Sequence, residues 1–531
     1  MALAFVAPGA GLVSREPRSA GASRAPGPRS VHRAAGEVAR RPAETVEAGC
    51  AFGARWDDRR IPLHFLHGLR TLRPASMQLV QELFALERWL WALPVFLTSV
   101  EAAAEQKRSV SGVSGQRFSG EVLREVPKEE LRFAGIRRSD LKALKQERRC
   151  ERWIVVTSIF QPSPATRKLG EMTRQGWCYV VVADKNGPKD YDDVEGVVYL
   201  TVERQRALHF HIMDHLPWRH FGRKNVGFLY AIAHGARIIY DTDDDNRLKE
   251  ARIPILGFGD GASSPDGLSI NVSRPLFEEP GTLQKTKPGL LNPYPSFRPS
   301  CGHIWPRGFP LDFVQAAATF DRSLAPAQLS RPPAVQQFLA DEDPDVDAIF
   351  RLTRPLPCTF QGQAPELPAA MAIPPQYFTP YNAQATVHLY ESFWGLLLPV
   401  TVHGRVSDIW RAYLTQKLLW DVGQVVSFVP PHVVHDRVAH DYLKDFQSEG
   451  DLQLKSTALV TFLAHWSSDA PTLVERIEQL WGALYARGFV ELEDLRLAQA
   501  WIRDLISVGY DFPELELGKI MWVEADSRSE L

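Results

Sequence analysis

The sequence predicts an α/β fold built on a mixed sheet, followed by a helical C-terminal region. Three observations carry that expectation. Short apolar runs of strand length alternate with segments of helical spacing between Trp153 and Tyr240. Several of the runs stop at polar or acidic residues, as strands do where they leave a buried sheet. Residues 466–531 carry cap signals and an apolar stripe at helical period.

The elements follow in order. Trp153–Ile159 and Trp177–Ala183 read as buried strands, and Val197–Val202 as a third. Gly222–His234 has helical spacing, with Gly235 as its stop. Ala236–Tyr240 reads as another short strand, with Asp241–Asp245 in the loop behind it. Residues 255–345 are rich in Pro and Gly and predict turns and loops, and a mixed region covers 370–460. Thr472 and Glu475 fit a capping box, Leu473, Ile477, Leu480, Trp481 and Leu484 form one packing stripe, and Gly488 ends it.

At 531 residues the chain is long enough for several domains. Four segments are expected: a disordered or targeting tail over 1–48, a poorly defined and partly helical region over 49–150, the α/β body over 151–465 and the helical region over 466–531. The tail is rich in Arg and poor in acids, with Arg15, Arg18, Arg24, Arg29, Arg33, Arg40 and Arg41 against Glu16 and Glu37. A formal charge of −2 and the lack of a basic stripe interleaved with aromatics argue against a nucleic-acid partner. Leu79–Val100 is apolar but interrupted by Glu82, Glu87 and Arg88. Its uncharged part is shorter than the roughly 20 residues a spanning helix needs, so it reads as an amphipathic or buried helix. The five cysteines are scattered and show no zinc spacing.

The chemistry concentrates in Asp241-Thr242-Asp243-Asp244-Asp245-Asn246. Adjacent carboxylates repel one another unless a cation offsets them. Mg²⁺ and Mn²⁺ prefer oxygen ligands and are held by a few carboxylates plus a substrate's phosphates. An Asp-x-Asp at a strand end therefore predicts a metal–diphosphate site, with Asp241, Asp243 and Asp245 as ligands; a solvated acidic turn is the alternative. Asp184 follows a strand and is suited to a uracil or ribose hydroxyl, with Lys185 beside it for phosphate, or else forms a charged turn. Arg223, Lys224 and Asn225 open a helix, a favourable place for a diphosphate. Gln161, Asp184 and the acidic run all lie past strand ends, where open α/β sheets bind ligands. Asp408 begins a helical segment and reads as either a general base for an acceptor or an N-cap. His388, His403, His432 and His435 read as ordinary histidines, one of which is available to a metal shell.

Several of these motifs together resemble the STELLO glycosyltransferase-like family. The resemblance rests on Trp153–Thr157, Val180–Lys185, His220–Asn225, Asp241–Asn246, Trp305–Pro310, Asp343–Arg351, Leu398–Val402 and Gly404–Trp410, and spans roughly 150–465. It implies a GT-A-like nucleotide-sugar domain over 151–465 and, in plants, a Golgi membrane protein associated with cellulose synthase. Asp408-Ile409-Trp410 with Trp420-Asp421-Val422-Gly423 is more distantly similar to the reversibly glycosylated polypeptides, the UDP-arabinopyranose mutases. The expected function is a Mn²⁺- or Mg²⁺-dependent transferase that moves sugar from a nucleotide sugar, a UDP-sugar, to a glycan or protein acceptor. The alternatives are a UDP-sugar mutase and a non-catalytic partner of a polysaccharide synthase.

Overall fold

A computed structural model describes residues 149–257, 268–274, 289–316, 323–361, 370–437, 441–518 and 522–524. The Arg-rich tail and the apolar segment Leu79–Val100 lie outside them. Strand β1 (Arg152–Thr157) leads through helix α1 (Pro164–Glu171) to β2 (Trp177–Val182) and β3 (Val197–Leu200). Helices α2 (Val202–Ala207) and α3 (Lys224–Ala233) then lead into β4 (Ile238–Thr242). These four strands are parallel, in the order β3-β2-β1-β4. Side chains alternate across the sheet. Trp153 and Val155 enter one apolar core with α3, while Ile154 and Val156 enter a second core on the opposite face with Leu169 of α1. Burial on both faces explains the unbroken apolar runs of β2 and of the middle of β1.

The sheet then turns mixed. In chain order come β5 (Asn246–Leu248), β6 (Leu268–Arg274), β7 (Gly289–Leu290), β8 (Ser323–Leu329), β9 (Val335–Asp341), helix α4 (Ala348–Thr353), β10 (Met371–Ala372), β11 (Tyr377–Phe378) and β12 (Ala385–Leu389). Helix α5 (Gly404–Leu419) precedes the long β13 (Val426–His435). β12 lies antiparallel between β4 and β9, and β13 runs parallel to β9. The Pro/Gly-rich stretch thus contains a fully buried central strand, β9, that its composition did not predict. Its Gln336 and Gln337 break the apolar pattern, but both side chains find backbone partners inside the fold.

Helices α6 (Tyr442–Ser448), α7 (Gly450–His465), α8 (Leu473–Ala486) and α9 (Leu492–Ser507) follow, with a short β14 (Trp522–Glu524) at the sheet edge. The Thr472 side chain accepts from the Glu475 amide at 3.3 Å, which forms the expected N-cap, while its hydroxyl donates to the Glu475 carboxylate in place of the backbone bond of a full capping box. The predicted stripe is buried, and Gly488 takes a φ of 73° just beyond the helix end. The C-terminal helices share the core of α3 and α5. This is the mixed α/β sheet with C-terminal helices that the sequence predicts. Among the described residues no helix is long and apolar enough to cross a membrane. Cys301 and Cys358 form a disulfide, a pairing their scattered positions did not announce.

Candidate functional site

A cleft of about 410 Å³ opens at the carboxyl ends of β1, β2 and β4. Ser158, Asp184, Asp243, Asp244 and Asp245 form one wall, and Arg307, Asp345, Asp408 and His435 line it as well. The placement follows from topology, since parallel strands deliver all their following loops to one edge of the sheet.

The acidic run divides in two. Asp241 does not lie in a loop: β4 extends through Thr242, and the carboxylate is fully buried within it. Its Oδ1 lies 2.6 Å from Lys224 Nζ, and its Oδ2 accepts from Arg411 at 2.7 Å. Asp241 is therefore not available as a metal ligand, and two buried cations already neutralise it. Asp243, Asp244 and Asp245 form the turn that faces the cleft. Burial pushes the Asp243 carboxyl up to about 7, with repulsion from Asp245 adding to it and Lys224, at 2.9 Å, opposing it. Burial also raises the Asp244 carboxyl, against a hydrogen bond donated by the Ser158 hydroxyl. For Asp245 burial acts upward too, but His435, 3.1 Å away, and Arg437 outweigh it and hold the carboxyl below its ordinary value.

The expected phosphate-binding helix start also needs correction. Helix α3 packs flush on the sheet: a Cβ on Gly227 would stand 2.7 Å from Val182 and 2.8 Å from Val155. That depth buries its first turn. The Arg223 guanidinium bonds to Gln205 and the Leu216 carbonyl and stacks 3.9 Å above the Trp218 ring, outside the cleft wall. The Lys224 ammonium is spent on Asp241, Asp243 and the Ala383 carbonyl. Asn225 exchanges two 2.9 Å hydrogen bonds with the backbone of Leu398. None of the three presents its side chain to the cleft. Lys185 is exposed, with Nζ 5.2 Å from the Trp218 ring, and is likewise not on the cleft wall. Asp184 does line the cleft, and its carboxylate accepts the amides of Lys185 at 2.6 Å and His220 at 3.0 Å. It ties the end of β2 to the segment that carries His220 and Phe221 into the cleft. Gln161 is absent from the lining, where Ser158, Ile159 and Phe160 take its expected place.

Asp408 reaches the cleft, but not as an N-cap. His403 caps α5 by accepting from the Arg405 amide at 3.2 Å. Asp408 sits one turn further in, gripped by both terminal nitrogens of Arg307 at 2.9 and 3.2 Å. Arg307 also holds Asp345 through two nitrogens, at 2.7 and 3.1 Å. An arginine clamped between two carboxylates is geometrically defined on both sides. Arg307 and Asp345 went unassigned in the sequence although they lie in the motifs Trp305–Pro310 and Asp343–Arg351; for Arg307 the available signal was a single charge inside an otherwise uncharged motif. Of the four scattered histidines, His435 is the one that bonds to the acidic turn. His388 lies in the sheet interior, where burial drives it well below its ordinary pKa.

Among the described residues no group of three or more His, Cys, Asp or Glu is arranged to hold a metal. Asp241, buried within β4, does not share the cleft face with Asp243 and Asp245. Asp243 and Asp245 still repel each other at the open face of a cleft and offer hard oxygen donors. Such a pair fits a divalent cation whose remaining ligands come from a diphosphate and water.

A family model described as STELLO glycosyltransferases matches residues 405–529, from the first turn of α5 onward. Two Arabidopsis thaliana proteins, Probable glycosyltransferase STELLO1 and Probable glycosyltransferase STELLO2, are each 31% identical to this chain over 379 and 382 residues, in both cases 69% of it. The chain spans less than half the length of these relatives, 45% and 46%. Taken with the mixed α/β sheet, these matches place the chain in the STELLO glycosyltransferase-like family.

Proposed function

We propose that the cleft binds a nucleotide sugar, a UDP-sugar, together with Mn²⁺ or Mg²⁺, and that the protein transfers the sugar to a glycan or protein acceptor. The observation that carries this reading is the convergence of Asp184, the Asp243–Asp245 turn and the Arg307–Asp408 pair on one cleft at the ends of parallel strands. Asp184 would border the nucleoside, as the end of β2 stands beside the end of β1. Asp243 and Asp245 would hold the cation, which when bound offsets the charge of the diphosphate leaving group. Asp408 is the candidate for the acceptor side, held in place by Arg307. The Cys301–Cys358 disulfide supports residence in an oxidising compartment such as the Golgi lumen.

A second reading has one observation in its favour. Lys224 already neutralises the acidic run from inside, so the aspartates persist without any metal. A non-catalytic partner of a polysaccharide synthase would keep this fold and use the cleft differently. Titration with Mn²⁺ and a panel of UDP- and GDP-sugars, followed by product analysis with and without added acceptors, separates the two. Folded protein that binds no nucleotide would overturn the transferase reading.

A further inference from the structure

We propose that Gln384 reads the sugar ring of the donor and sets which sugar the cleft accepts. This rests on the nucleotide-sugar reading above. Gln384 lies immediately before β12, where the register that pairs Ala385 with Thr242 places it across from Asp243. Its side chain lines the cleft and is about nine-tenths buried, at 9% exposure. Its Oε1 is buried with no hydrogen-bond partner among the described residues. Buried amides almost always find partners. An amide left unsatisfied on the wall of a polar cleft is suited to a ligand that brings its own donors and acceptors. A sugar hydroxyl is both, and one carboxamide can meet two neighbouring hydroxyls.

The backbone around it is anchored on both sides. The Gln384 carbonyl accepts from the Thr242 hydroxyl. The preceding residue, Ala383, takes Lys224 Nζ on its carbonyl at 3.1 Å and gives its amide to Asp408 at 3.2 Å. The amide therefore stands between the proposed diphosphate side, Asp243, and the proposed acceptor side, Asp408. That is the interval a glycosyl unit would span during transfer. A recognition group borne on an anchored backbone discriminates well because it cannot drift to suit a wrong substrate. A site built to bond a hydroxyl also rejects an analogue that lacks one, since its own polar group is then left unpaired.

The test compares UDP with UDP-glucose, UDP-galactose and UDP-xylose by calorimetry on the full chain with Mn²⁺, in wild type, Gln384→Met and Gln384→Glu. Gln384→Met keeps the length of the side chain and breaks no protein hydrogen bond, so its melting temperature should match wild type. Its affinity for UDP should be unchanged. Its affinity for the preferred UDP-sugar should fall by about tenfold, the scale of one hydrogen bond with its partner left unpaired, and the preference among the sugars should flatten. Gln384→Glu retains acceptors but no donor and should shift the preference. An unchanged ratio of UDP-sugar to UDP affinity in folded Gln384→Met would overturn this assignment while leaving the transferase reading in place. A wild-type protein that binds no UDP or UDP-sugar would overturn both.

Discussion

Replacing Lys224 by Met should destabilise the protein by about 3–5 kcal/mol, the range for stripping one partner from a buried ion pair. The structure argues for the lower end of that range. Lys224 is fully buried and contacts two carboxylates, but neither is left wholly stranded. Asp241 keeps Arg411 at 2.7 Å, and the Asp243 side chain is 26% exposed to the cleft. Met preserves the packing of the stem, so the loss isolates the charge. Equilibrium urea unfolding of the two proteins measures it. Gln or Asn in place of the freed carboxylate supplies the control: Lys224→Met/Asp243→Asn should recover a large part of the loss. The pH dependence gives a further check. Burial already raises the Asp243 carboxyl to about 7 with Lys224 opposing, so removal of Lys224 raises it more. The folded state then binds a proton that the unfolded chain, with an ordinary carboxyl, does not. Stability of the variant is therefore lost progressively as pH rises from the ordinary carboxyl range to the raised value, and levels off above it. A loss below about 1 kcal/mol at pH 8, the scale of a solvent-exposed pair, would refute the argument that Lys224 is the internal counter-ion.

The other aspartates should separate by position. Asp241→Ala leaves Lys224 and Arg411 facing each other without their shared carboxylate and should cost about 3–5 kcal/mol, read by urea unfolding. Asp243→Ala and Asp245→Ala should fold, and should weaken Mn²⁺-dependent UDP binding in calorimetry; unchanged affinity in both would count against their role. Reducing the Cys301–Cys358 bond, which closes a separation of 57 residues, should destabilise the protein by about 4 kcal/mol on the chain-entropy scale, measured as a shift in the unfolding midpoint with and without reductant. Asp408→Asn keeps a side chain able to accept from Arg307, so donor binding should persist while turnover falls; full activity would exclude an acid/base role.

Strands β1 and β2 of the parallel half were legible in the sequence because their central residues are buried on both faces and so read as unbroken apolar runs. Trp153–Val156 and Trp177–Val182 have no polar residue to blur the pattern, and the strand ends that follow them marked the cleft. β9 was not legible for the opposite reason. Its Gln336 and Gln337 satisfy their amides through contacts remote in sequence, such as Leu256 and Thr386, which no local pattern reveals. The same limit decided which charged residues serve the site. Asp241 and Asp243 look alike in a run of carboxylates, and Arg223 and Lys224 look alike at a helix start. What separates them is depth. Side chains alternate along β4, and the strand carries Asp241 inward to the level of α3 and Arg411, while Asp243 falls in the turn beyond it. The cations that the sequence offered to a diphosphate are therefore the ones the fold consumes in holding its own acidic strand. Arg223 stacks on Trp218, and Lys224 braces the wall from behind. A phosphate in the cleft would then meet the other arginines of its lining, Arg219, Arg307, Arg405 and Arg437. That division of labour gives the acidic strand an internal counter-charge independent of any ligand, so the fold should stand with the cleft empty.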